Sequence, residues 1–124
     1  MPDQRLEGSR ILVVEDEYFL ADDLCQTLAA SGAEVVGPAA SVEEATALLA
    51  GDAAIDAAVL DVNLRGDMVF PVADALRERG VPFAFATGYD QWTLPERFTD
   101  SPRVEKPFKG PKVAAVLGPL LSGR

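Results

Sequence analysis

Short apolar runs that each stop at a polar residue recur along this chain, and no other feature constrains its fold as tightly. Ile11-Leu12-Val13-Val14 stops at Glu15-Asp16-Glu17, and Ile55 to Leu60 stops at Asp61. Phe83 to Ala86 stops at Thr87-Gly88, and Val104-Glu105 stops at Lys106-Pro107. Apolar runs of this length, bounded by charge, read as buried parallel strands. One more short strand is expected from Ala33 to Pro38, around Val35-Val36. Helix-period segments lie between them. Leu20, Leu24 and Leu28 are spaced by four, with Ala21 and Cys25 on the same flank, and Ser31-Gly32 supplies the stop. Ser41 and Glu44 form a capping box that opens a second helix, with Val42, Ala45, Leu48 and Leu49 inward and an end near Gly51. Val69 to Arg79 repeats the spacing through Val72, Ala73 and Leu76, followed by Gly80. Lys112 to Leu117 begins a last helix. Gly118-Pro119 is expected to kink it or end it early, because an internal proline removes a donor and clashes with the preceding turn. Leu120-Leu121 would then pack as a tail, and residues 1–9 read as a polar lead.

Strand and helix alternate with helix-length connections, which means an α/β parallel sheet covered by helices on both faces. The 124 residues suit a single domain, 1–124, with its core at 10–122 and no internal repeat or linker. Twenty acidic residues against eleven basic ones give a formal charge of −9. Such a surface repels phosphate backbones, so nucleic acid is not expected as a partner. No apolar run approaches a membrane span and the polar start is no signal peptide, so a cytoplasmic protein without a membrane partner is expected. Histidine is absent, which removes imidazole triads and histidine metal sites. The single cysteine, Cys25, has no second thiol for a disulfide or a metal cage. Chemistry is left to carboxylates, hydroxyls and lysine.

Those groups fall at one kind of place. Glu15-Asp16, Asp61, Thr87 and Lys106 each follow directly after an expected strand. In an open parallel sheet all carboxyl ends point to one edge, and ligands bind there. Taken singly, each has an ordinary reading: the acidic triplet as a helix start, Asp61 as a turn residue, Thr87 as a cap, Lys106 as a surface lysine. Their coincidence at four of the five strand ends favours a site. Crowded carboxylates call for a raised pKa or a bound cation, and an all-oxygen donor set suits Mg²⁺. A metal, an ammonium and a hydroxyl are what the oxygens of a transferring phosphoryl group require, and a carboxylate can itself be the nucleophile. Asp61, isolated after its strand, is the better candidate for that role than the paired Glu15 and Asp16.

Four motifs in order, Ile11–Glu17, Leu60-Asp61-Val62-Asn63-Leu64 with Gly66, Thr87-Gly88 and Lys106-Pro107-Phe108, resemble the receiver domain of two-component response regulators. The resemblance covers residues 10–122. It implies a doubly wound, flavodoxin-like sheet of five strands in the order 2-1-3-4-5. It implies Asp61 as phospho-acceptor, Asp16 as a direct Mg²⁺ ligand, Glu15 as a ligand through water and Asn63 as a ligand through its backbone carbonyl. It also implies that Thr87 hydrogen-bonds the aspartyl phosphate, that Lys106 pairs with it, and that Pro107 sits where a cis peptide is frequent. Pro82-Phe83-Ala84-Phe85-Ala86-Thr87-Gly88-Tyr89 is similar to the signature of the "FAT GUY" receiver subfamily, often stand-alone domains, although Phe83 and Phe85 also alternate as plain core would. One position departs from the general pattern. Three residues before the lysine, where receivers usually carry a switching Tyr or Phe, stands Arg103, a departure this subfamily shares. Switching is therefore expected in the segment Gly88 to Pro102, read as a short, irregular or mobile fourth helix.

The resulting expectation is a stand-alone receiver that takes a phosphoryl group from a sensor histidine kinase or a histidine phosphotransfer protein. With almost nothing after residue 122, its output would be a protein contact or service as a phosphate sink. It would be a switch that assists its own phosphorylation, not a turnover enzyme. The alternative is an interaction module on the same fold that works without phosphorylation. An aspartate-nucleophile phosphohydrolase is disfavoured because Asn63 stands where its general acid would be, and flavin binding because an acidic triplet replaces the phosphate loop.

Overall fold

Period-two alternation along the strands sorts their side chains onto two opposite faces, and both faces are buried. The structure, a computed structural model, describes residues 6–51, 54–87 and 94–122. Five strands, β1 (Arg10–Val14), β2 (Glu34–Ala39), β3 (Ala57–Asp61), β4 (Phe83–Thr87) and β5 (Arg103–Glu105), form one parallel sheet in the order β2-β1-β3-β4-β5. Four helices connect and cover it: α1 (Tyr18–Ala30), α2 (Val42–Gly51), α3 (Phe70–Glu78) and α4 (Gly110–Ser122). The expected doubly wound order is the observed one. No helix among the described residues is long and apolar enough to cross a membrane.

On one face Leu12, Val14, Ala58, Leu60, Phe83 and Phe85 pack with Ala45 and Leu49 of α2 and Val72, Ala73 and Leu76 of α3. On the other, Ile11, Val13, Val59, Ala84, Ala86 and Val104 pack with Leu24 and Leu28 of α1 and Val113 and Leu117 of α4. Phe83 and Phe85 therefore are core on one face of β4, while alanines fill the opposite face. Phe98 completes an aromatic group, with its ring 5.5 Å from Phe85, 5.6 Å from Phe70 and 5.9 Å from Phe83.

Local signals in the sequence account for the helix ends. Ser41 Oγ accepts from the Glu44 amide at 3.0 Å, half of the expected capping box. Glu17 caps α1, its carboxylate accepting the Leu20 amide at 2.8 Å. At the end of β2, Gly37 has φ +102°, and a Cβ there would lie 2.9 Å from the Ala39 nitrogen and 3.0 Å from the Val13 oxygen, so no larger residue fits. Peptide bonds Gly37–Pro38 and Lys106–Pro107 are cis, the second as the resemblance implied.

Two expectations change, and a third, the short or irregular fourth helix, holds as far as the described residues reach. The last helix neither ends nor gives way to a tail at Pro119 but runs to Ser122. Pro119 costs the bond to the Ala115 carbonyl; both residues are exposed, so water can take that carbonyl, while Leu120 and Leu121 pack on the core as helical residues. The polar lead is not all solvent-facing: Leu6 is fully buried, and the Gly8 amide bonds the Gly32 carbonyl at 3.0 Å. Of the expected fourth helix, residues 94–102 hold only one 3-10 turn, Glu96–Phe98, with Leu94 and Phe98 buried. Gly88, Tyr89 and Trp92 of that segment lie outside the described residues.

That turn is fastened to α3. Arg97 makes two 2.9 Å bonds to Asp74, Arg77 donates to the Arg97 carbonyl at 2.8 Å, and the two guanidiniums lie 4.6 and 4.7 Å from the Phe98 ring centroid. The Asp74–Arg97 pair is solvated and contributes little by itself; the buried ring supplies most of the adhesion. Phe98→Ala is expected to destabilise the protein by about 3–5 kcal/mol in urea denaturation. A loss below about 1 kcal/mol would mean that the ring is dispensable to the core.

Candidate functional site

The acidic triplet after β1 divides into three roles by position alone. Glu17, the last, faces solvent and caps α1. Glu15, the first, is buried at 3% exposure, one carboxylate oxygen accepting the Glu17 amide at 3.1 Å. Asp16, between them, is half-buried. Asp61 ends β3 in the neighbouring register, since β1 pairs with β3 through Val14 and Leu60. Glu15, Asp16 and Asp61 each bring a carboxylate oxygen into one group within 4.8 Å.

Lys106 enters from the end of β5. The Thr87 carbonyl accepts its amide at 2.7 Å, which sets the residue level with the other strand ends. Its Nζ donates to Asp61 Oδ1 at 3.2 Å and lies 3.0 Å from Glu15 Oε1. Burial alone would lower the Lys106 pKa, but the contacts with Glu15 and Asp61 outweigh it and raise it, so the lysine is charged. Asp61 moves the other way. Burial first, then the nearby Glu15 charge, push its pKa up to about 7, with Lys106 opposing them incompletely. One ammonium does not neutralise three crowded carboxylates.

Glu15 Oε1 makes that deficit local. It is shielded from solvent and, although close to Lys106 Nζ, has no aligned hydrogen-bond donor. Lys106 is its close cation but is shared with Asp61, so a further cation at the cluster would offset the charge that one ammonium leaves uncompensated. The donor set is all oxygen, which suits a hard divalent ion such as Mg²⁺ and not zinc or copper.

The structure brings Glu15, Asp16, Asp61 and Lys106 together. Thr87 is placed beside them at the end of β4, half-buried, with no side-chain hydrogen bond among the described residues. Asn63 behaves in an unforeseen way: its side chain turns back to accept the Gly66 amide at 2.7 Å. The reason is a small hairpin after β3, in which Asn63–Leu64 pairs antiparallel with Asp67–Met68. The Val69 amide bonds the Val62 carbonyl at 2.9 Å, and antiparallel pairs alternate between bonded and non-bonded positions. Asn63 is thus at a non-bonded position, its backbone carbonyl not used by the ladder.

The turn of that hairpin adds a residue that the sequence reading missed. Arg65 Nε lies 3.4 Å from Asp16 Oδ2, so a guanidinium stands at the outer side of the acids. Leu64-Arg65-Gly66-Asp67 carries the available signal, a Xaa-Gly pair of the kind that turns a two-residue hairpin. Arg103, where receivers usually carry an aromatic, is exposed on β5.

No family model matches the chain. Individual proteins do. The solution structure of SdrG from Sphingomonas melonis Fr1 is 43% identical, with a TM-score of 0.82 over 91% of this chain and 96% of that one. A second SdrG structure, in a BeF3-activated conformation, is 41% identical, with a TM-score of 0.77 over 98% of this chain and 99% of that one. The receiver domain of the hybrid histidine kinase CckA is 28% identical, with a TM-score of 0.73 over 91% and 99% of the two chains. Among curated relatives, the sensory transduction protein LytT of Bacillus cereus is 33% identical over 112 residues, 87% of this chain. The chain spans about half the length (45%) of that relative. A likeness that runs nearly end to end, on a sheet whose carboxyl edge gathers three acids and a lysine, places this chain in the family of response regulator receiver domains.

Proposed function

We propose that the protein is a single receiver, residues 1–124, which accepts a phosphoryl group on Asp61 with Mg²⁺ and thereby switches a protein contact or drains phosphate from a shared kinase. The observation that carries this reading is the Lys106 ammonium shared between Asp61 and the buried Glu15 carboxylate, with Asp16 in the same acid group. Asp16 and Asp61 would hold the ion directly, Glu15 through water and Asn63 through its free backbone carbonyl. When bound, the ion supplies positive charge against the phosphoryl oxygens. Asp61 Oδ attacks phosphorus in line while the P–N bond to the donor's phosphohistidine breaks, and the leaving imidazole takes up a proton. Lys106 moves its contact from the carboxylate to a phosphoryl oxygen, and the Thr87 hydroxyl donates to another. Nothing in this set regenerates a free acceptor quickly, which fits a switch better than a turnover enzyme. The activated SdrG structure supports the reading, since BeF3 imitates a phosphoryl group on a carboxylate.

The donor would be a sensor histidine kinase or histidine phosphotransfer protein in the cytoplasm, and a protein partner suits the charge of −9 better than nucleic acid. Tyr18 and Phe19 are 74% and 77% exposed at the first turn of α1, directly after the acids, with ring centroids 5.5 Å apart. Exposed aromatics of this size next to a reactive group mark a docking surface.

Three measurements test this. Incubation with acetyl phosphate should add one phosphoryl group by intact mass, with Mg²⁺ present and Asp61 intact; no adduct, in folded protein that also fails to bind BeF3, would favour the phosphorylation-independent interaction module. Replacing Tyr18 and Phe19 by alanine should slow transfer from a phosphohistidine protein donor by about tenfold. It should leave the acetyl phosphate reaction unchanged, and equal effects on both donors would exclude a docking role. Finally, Asp61 binds a proton more tightly folded (about 7) than unfolded (about 3.9), so its contribution to stability falls as pH rises through that window. In chelator, Asp61→Asn should therefore exceed the unsubstituted protein in stability by about 1–2 kcal/mol at pH 8, a figure discounted for partial solvation, with the gap closing towards pH 4. A variant less stable at pH 8 would show that crowding at Asp61 is not the dominant strain.

A further inference from the structure

Among the described residues, Arg65 is the only residue other than glycine with a positive φ, +54°, and it is followed by Gly66 at +95°. Successive left-handed residues make the type I′ turn that joins the hairpin, and the position Arg65 occupies is one that Asn or Asp fills at least cost. A long cationic side chain gains nothing from that backbone. Outliers of this kind persist where the side chain has a use.

The use is visible in where the guanidinium goes. Arg65 is mostly solvated, its side chain 83% exposed, yet Nε sits 3.4 Å from Asp16 Oδ2, a carboxylate of the acid cluster that Lys106 does not contact. Lys106 serves Glu15 and Asp61 from the inside, and Arg65 serves Asp16 from the outside. We propose that Arg65 is a tethered competitor of the divalent cation for Asp16, a counter-ion that must leave before the metal is held and that thereby sets how much Mg²⁺ the site requires. The proposal rests on the reading of Glu15, Asp16 and Asp61 as a Mg²⁺ site. Its chemistry follows from charge alone: the pair is exposed, so it is easily broken, and the released guanidinium still hangs from a short turn beside the site, where it weakens cation binding through repulsion.

The experiment is a titration of the full chain with MgCl₂ at low ionic strength, followed by amide chemical shifts, which needs no phosphodonor. Arg65→Asn installs a residue the turn prefers, so folding is not at stake, and should tighten Mg²⁺ binding about two- to fivefold. Arg65→Lys, which keeps the charge, should remain near the unsubstituted affinity. Arg103→Asn removes the same charge from an exposed position on β5 and should change nothing. The Arg65→Asn gain should shrink as NaCl is raised towards 0.5 M, as screening requires. Equal affinities for the unsubstituted protein and Arg65→Asn would overturn the inference and leave the metal site standing, and so would an equal gain in Arg103→Asn. Absence of Mg²⁺ binding in both proteins would overturn the metal site itself and the inference with it.

Discussion

One ammonium shared by a buried and a half-buried carboxylate is the constraint on which the rest of this molecule turns. Lys106 reaches Glu15 and Asp61 only because β5, β3 and β1 end at one level, and they end at one level only because the sheet is parallel. Any antiparallel arrangement of the same strands would scatter these residues to opposite edges. The fold is therefore not a neutral scaffold for the charges: the helical crossovers that keep all strands parallel are what concentrates negative charge at one edge. Concentration without full compensation then pushes the Asp61 pKa up to about 7.

Most of this was legible in the order of residues. Strand ends announced themselves as polar residues after apolar runs, and helix ends as Ser31-Gly32, Ser41 with Glu44, and Gly80, because backbone caps and buried runs are local physics. Asp16, Asp61 and Lys106 could be grouped because they share a topological address. What was missed depended on packing or on turns. Leu6 lies in a polar context that offers no period, and only the fold shows that it joins the core cluster with Ile11, Leu24 and Leu28. The continuation of α4 through Pro119 depended on which side of the helix faced solvent. Arg65 escaped notice because a single arginine in a loop carries no signal until a hairpin directs it.

The two faces of β4 show how differently one strand can be used. Ala84 and Ala86 leave little side chain between the sheet and its covering helices, whereas Phe83 and Phe85 on the other face build a slab of rings with Phe70 and Phe98. Because Phe98 is gripped by Arg77 and Arg97, the connection before β5 is fixed at its far end to α3.

Glu15 has a consequence of its own. One of its oxygens belongs to the charged group at the strand ends, and the other holds the amide of Glu17, the residue that caps α1. A single carboxylate thus joins the charged group at the strand ends to the helix whose first turn displays Tyr18 and Phe19. Any pull on one oxygen is felt by the other, so a change at the acid cluster bears directly on how the first turn of α1 is held.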